Sequence, residues 1–128
     1  MSIFPRDIIE SGMKDLRDLL PDRNGELRLC TLTYPKNMRN TRLRSKTFKI
    51  PCIVHSINER SMDDGSVYQS GSLMFYLLYS DLDESGSGMS NFKTDNVMLN
   101  YKGKLYEIKE EVETAMATGI RLYCTKKS

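Results

Sequence analysis

Apolar residues near the start of the chain fall at Ile9, Met13, Leu16 and Leu20, spacings of four, three and four, while Glu10, Lys14, Asp15, Arg17 and Asp18 fill the positions between. That is the period of an amphipathic α-helix. Pro5 and Asp7 suit a first turn and Pro21 forces a stop, so the spacing predicts a helix over residues 5–20. Ile8 widens its apolar face. Gly12 weakens it by about 1 kcal/mol relative to alanine, so the helix needs a surface to lie on, either its own sheet or a neighbouring subunit.

Beyond a polar turn at 22–25 the period changes to two. Leu27 and Leu29 alternate with Arg28 and Cys30 and lead into threonines, which predicts a first strand over 26–34. Phe48 to Val54 is strand-like but holds Pro51, which confines it to an edge, a bulge or a bend. Leu73 to Tyr79 is the densest apolar run and predicts a central strand at the heart of the core, buried on one or both faces. The segments between are polar. Asn58 to Gly65 reads as a turn, and 80–93, rich in serine and glycine with Asp81, Asp83 and Glu84, reads as a long mobile loop. Val97, Leu99 and Tyr101 alternate with Met98 and Asn100; Leu105, Tyr106 and Ile108 resume after Gly103, the pattern of a hairpin around a tight turn. A polar connection, 109–119, separates it from a last strand, Ile120 to Cys124.

The fold class that follows is mainly β with an N-terminal α-helix: five or six antiparallel strands forming a small barrel or sandwich, with long inserted loops at 35–47 and 80–93. At 128 residues the chain is one domain, with the helix preceding a β portion over 26–125. Its mean hydropathy of −0.48 fits sizeable exposed loops. Residues 1–7 lack the basic lead and apolar run of a secretory signal, and no stretch approaches a membrane span, so the expectation is a protein kept in the cytoplasm or in a particle assembled there. Cys30, Cys52 and Cys124 each sit in an apolar, strand-like segment and read as buried reduced thiols; a metal site built from them and His55 lacks any C-x-x-C pair to support it.

The formal charge is only +2, and its distribution says more than its total. Lys36, Arg39, Arg42, Arg44, Lys46 and Lys49 fall between Pro35 and Ile50 with no acid among them. Such a run suits a phosphate backbone, an acidic protein partner or a solvated loop. No aromatic residue lies between Lys36 and Lys46, so the stacking element of a single-strand binder is missing. Glu107, Glu110, Glu111 and Glu113 form an opposing acidic cluster. Two faces of unlike sign would serve head-to-tail contact between identical subunits, or would pair within the chain.

The sequence Lys93-Thr94-Asp95, then Val97-Met98-Leu99-Asn100-Tyr101-Lys102-Gly103-Lys104-Leu105-Tyr106-Glu107-Ile108, then a connection and Ile120-Arg121-Leu122-Tyr123-Cys124, resembles the C-terminal half of the head–tail joining proteins of long-tailed bacteriophages, the head-completion, connector or stopper proteins of the neck. There a polar lead-in and a strand precede a hairpin of the pattern D/N-G or K-G-x-x-Y-x-I, a loop and a closing apolar strand. The resemblance covers roughly a third of the chain. It implies a structural virion protein at the head–tail interface, assembled in the host cytoplasm into a homo-oligomeric ring of about six or twelve subunits. Its partners would be portal or adaptor proteins on the head side and tail terminator or tail tube proteins on the other, and the ring would help retain packaged DNA. The basic segment would face DNA or an acidic partner. Ile9, Met13 and Leu16 on the helix, Asp83 and Glu84 in the serine loop, and Glu110 and Glu111 are the candidate subunit contacts.

Two other classes fit the same chain: a tail-side structural protein, such as a tail terminator or baseplate component, and a small nucleic-acid-binding β-barrel. Catalysis finds no support in the residues. Gly86-Ser87-Gly88 lies in a serine-rich loop rather than between a strand and a helix, the adjacent pairs Asp63-Asp64 and Glu110-Glu111 would point apart in extended chain, and His55 stands alone. Neither an enzyme nor a cofactor is expected, and no membrane partner.

Overall fold

The computed structural model describes residues 5–19, 28–38, 40–57, 71–88, 91–114 and 117–127. The amphipathic stripe forms helix α1, Pro5–Leu19. Seven strands follow: β1 (Leu29–Thr33), β2 (Thr47–Pro51), β3 (Ile53–Ser56), β4 (Leu73–Leu78), β5 (Met98–Tyr101), β6 (Lys104–Glu113) and β7 (Gly119–Lys126), with a short helix α2 (Tyr79–Ser85) between β4 and β5. They make one antiparallel sheet in the order β2-β1-β5-β6-β7-β4-β3. The mainly β architecture with an N-terminal helix is as expected, with one or two strands more. The turn expected at 58–65 lies outside the described residues.

The two edge strands, β2 and β3, are consecutive in the chain and separated by Cys52 alone. The Cys52 N–H donates to the Arg28 carbonyl at 2.9 Å, one step beyond the Leu29–Pro51 pair, so pairing toward β1 runs to Cys52 and pairing toward β4 begins at Ile53. Because β2 and β3 do not pair with each other, the sheet stays open, which corrects the expected barrel; it is also one sheet, not the two stacked sheets of a sandwich.

The alternation along β4 organises both faces. Phe75 and Leu77 point into the main core with Cys30, Leu32, Ile50, Leu99, Tyr106, Ile108, Ile120, Leu122 and Cys124. Tyr76 and Leu78 point the other way and join Ile53 in a smaller cluster on the outer face, against which Met13 of α1 and Met74 pack. In the main core the Phe75 ring meets Tyr101 and Tyr106 edge-on, with centroids 5.3 and 5.6 Å away, the arrangement favoured by ring quadrupoles. Gly119, at the start of β7, has no room for a side chain: a Cβ there would lie 2.4 Å from the Leu77 carbonyl oxygen.

Two loop expectations change. The stretch from 80 is not wholly a loop, because α2 occupies its first part. Leu82 is fully buried in the core, and Asp81, also buried, pairs with Arg17 of α1. Gly86 ends the helix at φ 92°, a left-handed conformation suited to glycine. Nor does the 109–119 connection begin at 109, since β6 runs on to Glu113 through a bulge between Ile108 and Glu110. The extra residue shifts the side-chain parity, so Ile108 faces the core while Glu110 pairs with Tyr123 on the outer face. The loop expected at 35–47 is present between β1 and β2, and is anchored as described next.

Candidate functional site

The basic segment folds as a compact loop between β1 and β2. Met38 and Leu43 are buried in the main core, the Tyr34 N–H donates to the Lys46 carbonyl at 2.9 Å, and the Lys46 N–H donates to the Leu43 carbonyl at 3.1 Å. Arg44 Nε donates to the Met38 carbonyl at 2.7 Å, so this arginine braces the loop it belongs to. With its apolar residues turned inward, the loop presents Lys36, Arg42, Arg44 and Lys46 to solvent, and Lys49 follows, exposed on β2. Among the described residues none of these five is ion-paired. Arg39 lies outside the described residues. The loop therefore presents cations that are unpaired among the described residues, with Arg44 held in place, which favours phosphate or carboxylate partners.

The acidic residues divide. Asp83 and Glu84 are exposed on α2. Glu110 is buried, and Glu111 is half-buried with its Oε2 accepting from the Phe92 N–H at 3.2 Å, capping the turn that leads into β5. Burial raises Glu111 above the usual carboxylate range, while hydrogen bonds from the Phe92 and Lys93 N–H groups pull the other way. Glu107 pairs with Lys109 at 3.3 Å, and Glu113 faces the Tyr79 hydroxyl. Glu107, Glu111 and Glu113 thus engage partners within the chain.

A second feature lies on the outer face. Ile9, Met13 and Leu16 of α1 overhang the sheet, and beneath them is a groove of about 260 Å³. Its floor is Ile53 and His55 of β3, Met74 and Tyr76 of β4, and Arg121 of β7. At one end the Tyr76 hydroxyl lies 3.2 Å from both Thr114 Oγ1 and Thr118 Oγ1, which are 3.0 Å apart, and Thr114 also donates to the Gly119 carbonyl. The helix is held over this groove by the Arg17–Asp81 pair. Burial works against the Arg17 charge, but Asp81 and Asp18 outweigh it and leave the guanidinium more firmly protonated than usual.

Of the helix residues singled out from the sequence, Ile9 and Met13 are half-buried and Leu16 is exposed, and all three line this groove. Tyr76, Thr114, Thr118 and Arg121 were not singled out, and His55 was set aside as structural; it is exposed and lines the groove. The alternation of 73–78 placed Tyr76 opposite Phe75, which was the one signal available. The threonines are brought to it by the β6–β7 turn, which periodicity does not encode.

The thiols match expectation: Cys30, Cys52 and Cys124 are free and buried. A hydrogen bond with Cys52 and then burial push the Cys30 thiol up, and burial pushes Cys124 up, so both stay protonated and unreactive. Among the described residues no group of His, Cys, Asp and Glu side chains gathers to hold a metal ion. No helix in that set is long and apolar enough to cross a membrane. No protein-family model matches this chain, and no curated protein matches it.

Proposed function

We propose that this chain is a structural subunit of a tailed-bacteriophage neck, one member of a ring that joins head to tail and helps retain packaged DNA. The observation that carries this is the C-terminal unit. The residues of the resemblance form three consecutive neighbouring strands, β5, β6 and β7, with the tyrosine and isoleucine of the K-G-x-x-Y-x-I pattern, Tyr106 and Ile108, buried in the main core. The motif is thus the scaffold of the domain, and contacts belong to what the scaffold carries: the braced cationic loop, the exposed acids Asp83 and Glu84, and the half-covered face under α1. Exposed cations and exposed carboxylates on separate elements suit a heterologous contact that closes into a ring. The portal or adaptor above and the tail terminator or tube below would meet the two ends of the ring.

The test is electron cryomicroscopy of tailed virions that carry this chain. A ring of this fold between portal and tail is the expected density. Density in the tail tube or baseplate would move the chain to the tail-side class, and absence from the particle would overturn the structural role.

The five unneutralised cations favour a second reading, a small nucleic-acid-binding module. In that case the isolated chain binds duplex DNA with an affinity that falls steeply with salt, and Arg42→Glu with Arg44→Glu removes it.

A further inference from the structure

The two edges of the sheet are guarded differently. The β2 edge carries Lys49 and Pro51, both deterrents to strand pairing, and α2 and the chain after it pack toward it, with Gly86 lying over Phe48. The β3 edge, Ile53-Val54-His55-Ser56, has neither lysine nor proline and pairs only through β4 among the described residues. Its outward-facing side chains, Ile53 and His55, are at the same time the floor of the groove under α1.

An edge unpaired among the described residues and a groove that share one strand make a recognition site of a known physical kind: main-chain hydrogen bonds to the edge supply affinity, and pockets for alternate side chains supply specificity. We propose that an extended segment of a partner protein adds to β3 as a further strand, with an apolar side chain beside Ile53, under the helix, and an acidic side chain two positions away, beside His55. Register sets this spacing. Ile53, Tyr76 and Arg121 form one cross-strand row on the outer face, and His55 and Met74 begin the next. The groove is too small for a drug-sized ligand, and its volume suits one or two aliphatic side chains. Charge and hydrogen bonding select the acid: the exposed Arg121 makes the groove positive, no carboxylate lines it among the described residues, and His55 offers a ring N–H donor beside that position. The inference is independent of the neck role, because it is measured on the isolated chain.

The probe is the peptide acetyl-Thr-Leu-Thr-Glu-Thr-amide, titrated into the full chain labelled for amide NMR. Saturable shifts centred on Ile53 to Ser56 are expected. Two N-methylated versions, one blocked at the Leu and Glu amides and one at the three Thr amides, should behave oppositely, since alternate amides of an added strand face the edge. One version should lose binding and the other keep it. Replacing Glu by Gln in the peptide should weaken binding about threefold, as for a polar cross-strand pair, and His55→Ala should erase that difference. Equal binding of both methylated peptides, shifts confined to the 34–46 loop, or indifference to the Glu-to-Gln change would each overturn the proposal. Sedimentation of the chain alone separates a remaining case: self-association that the peptide fails to displace would show a second copy on the edge and overturn it too.

Discussion

The inner and outer faces of the sheet are made by the same strands yet are built to different standards. Among the described residues, nineteen buried residues from six strands, the basic loop, Cys52, α2 and the 92–97 turn form one cluster on the inner face; the outer-face cluster holds three, Ile53, Tyr76 and Leu78, beneath a helix that leaves Ile8 and Leu16 exposed. Apolar burial stabilises roughly in proportion to area, so the inner face holds the fold and the outer helix contributes modestly. A layer that contributes little to folding is free to be used for contact, and that is where the groove and the β3 edge lie.

The sharpest way to break this contrast is at Phe75, fully buried between Tyr101 and Tyr106. Phe75→Ala should cost about 4 kcal/mol, the transfer of a ring plus the cavity it leaves, read from the midpoint of urea unfolding. The corresponding outer-face change, Met13→Ala, should cost about 1 kcal/mol, since that side chain is only half-buried. Equal losses would show that the helix is integral to the core and would remove the distinction.

Gly119 joins the two faces. Its Cβ position is blocked by the Leu77 backbone, which cannot move without disturbing the β4–β7 ladder. Gly119→Ala should therefore destabilise by about 2 kcal/mol, the usual range for overpacking, with the amide signals of β4 and β7 displaced. An unchanged midpoint would mean that the ladder yields there.

Smaller effects distinguish the polar ends of the faces. Tyr76→Phe removes one hydroxyl from the Tyr76–Thr114–Thr118 cluster but leaves the threonines bonded to each other and Thr114 to Gly119. About 1 kcal/mol is expected. At the inner end, burial and then Glu113 push the Tyr79 phenol up to about 12, from an ordinary value near 10. The folded state thus favours the neutral phenol, and the stability this gives is complete below about pH 10 and lost as pH rises toward 12. Tyr79→Phe should flatten that alkaline loss in unfolding curves measured from pH 9 to 12. An identical slope in the variant would assign the loss to other groups.

Much of the inner face was legible in the sequence. The 3.6 period gave α1, the alternation gave β1 and β5, and the dense apolar run gave β4, which lies beside the β3 edge and not at the centre of the sheet as expected; Gly103 marked the hairpin turn, and Pro51 marked the edge at which β2 gives way to β3. What escaped were features in which tertiary contact overrides local composition. The serine-rich stretch after Tyr79 becomes helical because Leu82 is drawn into the core and Asp81 meets Arg17, a residue far away in the chain. The bulge in β6 is invisible to a period-two count, yet it decides that Glu110 shares a face with Tyr123 rather than with Ile108. The basic loop was legible as charge, but its rigidity was not, because Met38 and Leu43 look like isolated apolar residues until the core closes over them. The groove was half legible: the helix stripe predicted a surface under Ile9, Met13 and Leu16, but His55, Tyr76, Thr114 and Arg121 come from separate segments that only the sheet brings together.

Leu16 carries the finest test of the contrast, because the smallest effect on folding should accompany a clear effect on contact. It lines the groove and remains 42% exposed. Leu16→Gln keeps a good helix former in place, so stability should change by no more than about 0.5 kcal/mol, as for ordinary surface substitutions. The same change replaces part of the apolar wall over the groove with an amide, which an incoming aliphatic side chain must desolvate. Capture of the Thr-Leu-Thr-Glu-Thr peptide should weaken about fivefold, equivalent to about 1 kcal/mol, with unfolding unchanged. If instead stability falls and binding holds, Leu16 belongs to the fold, and the outer layer is a second core rather than a surface kept open for a partner.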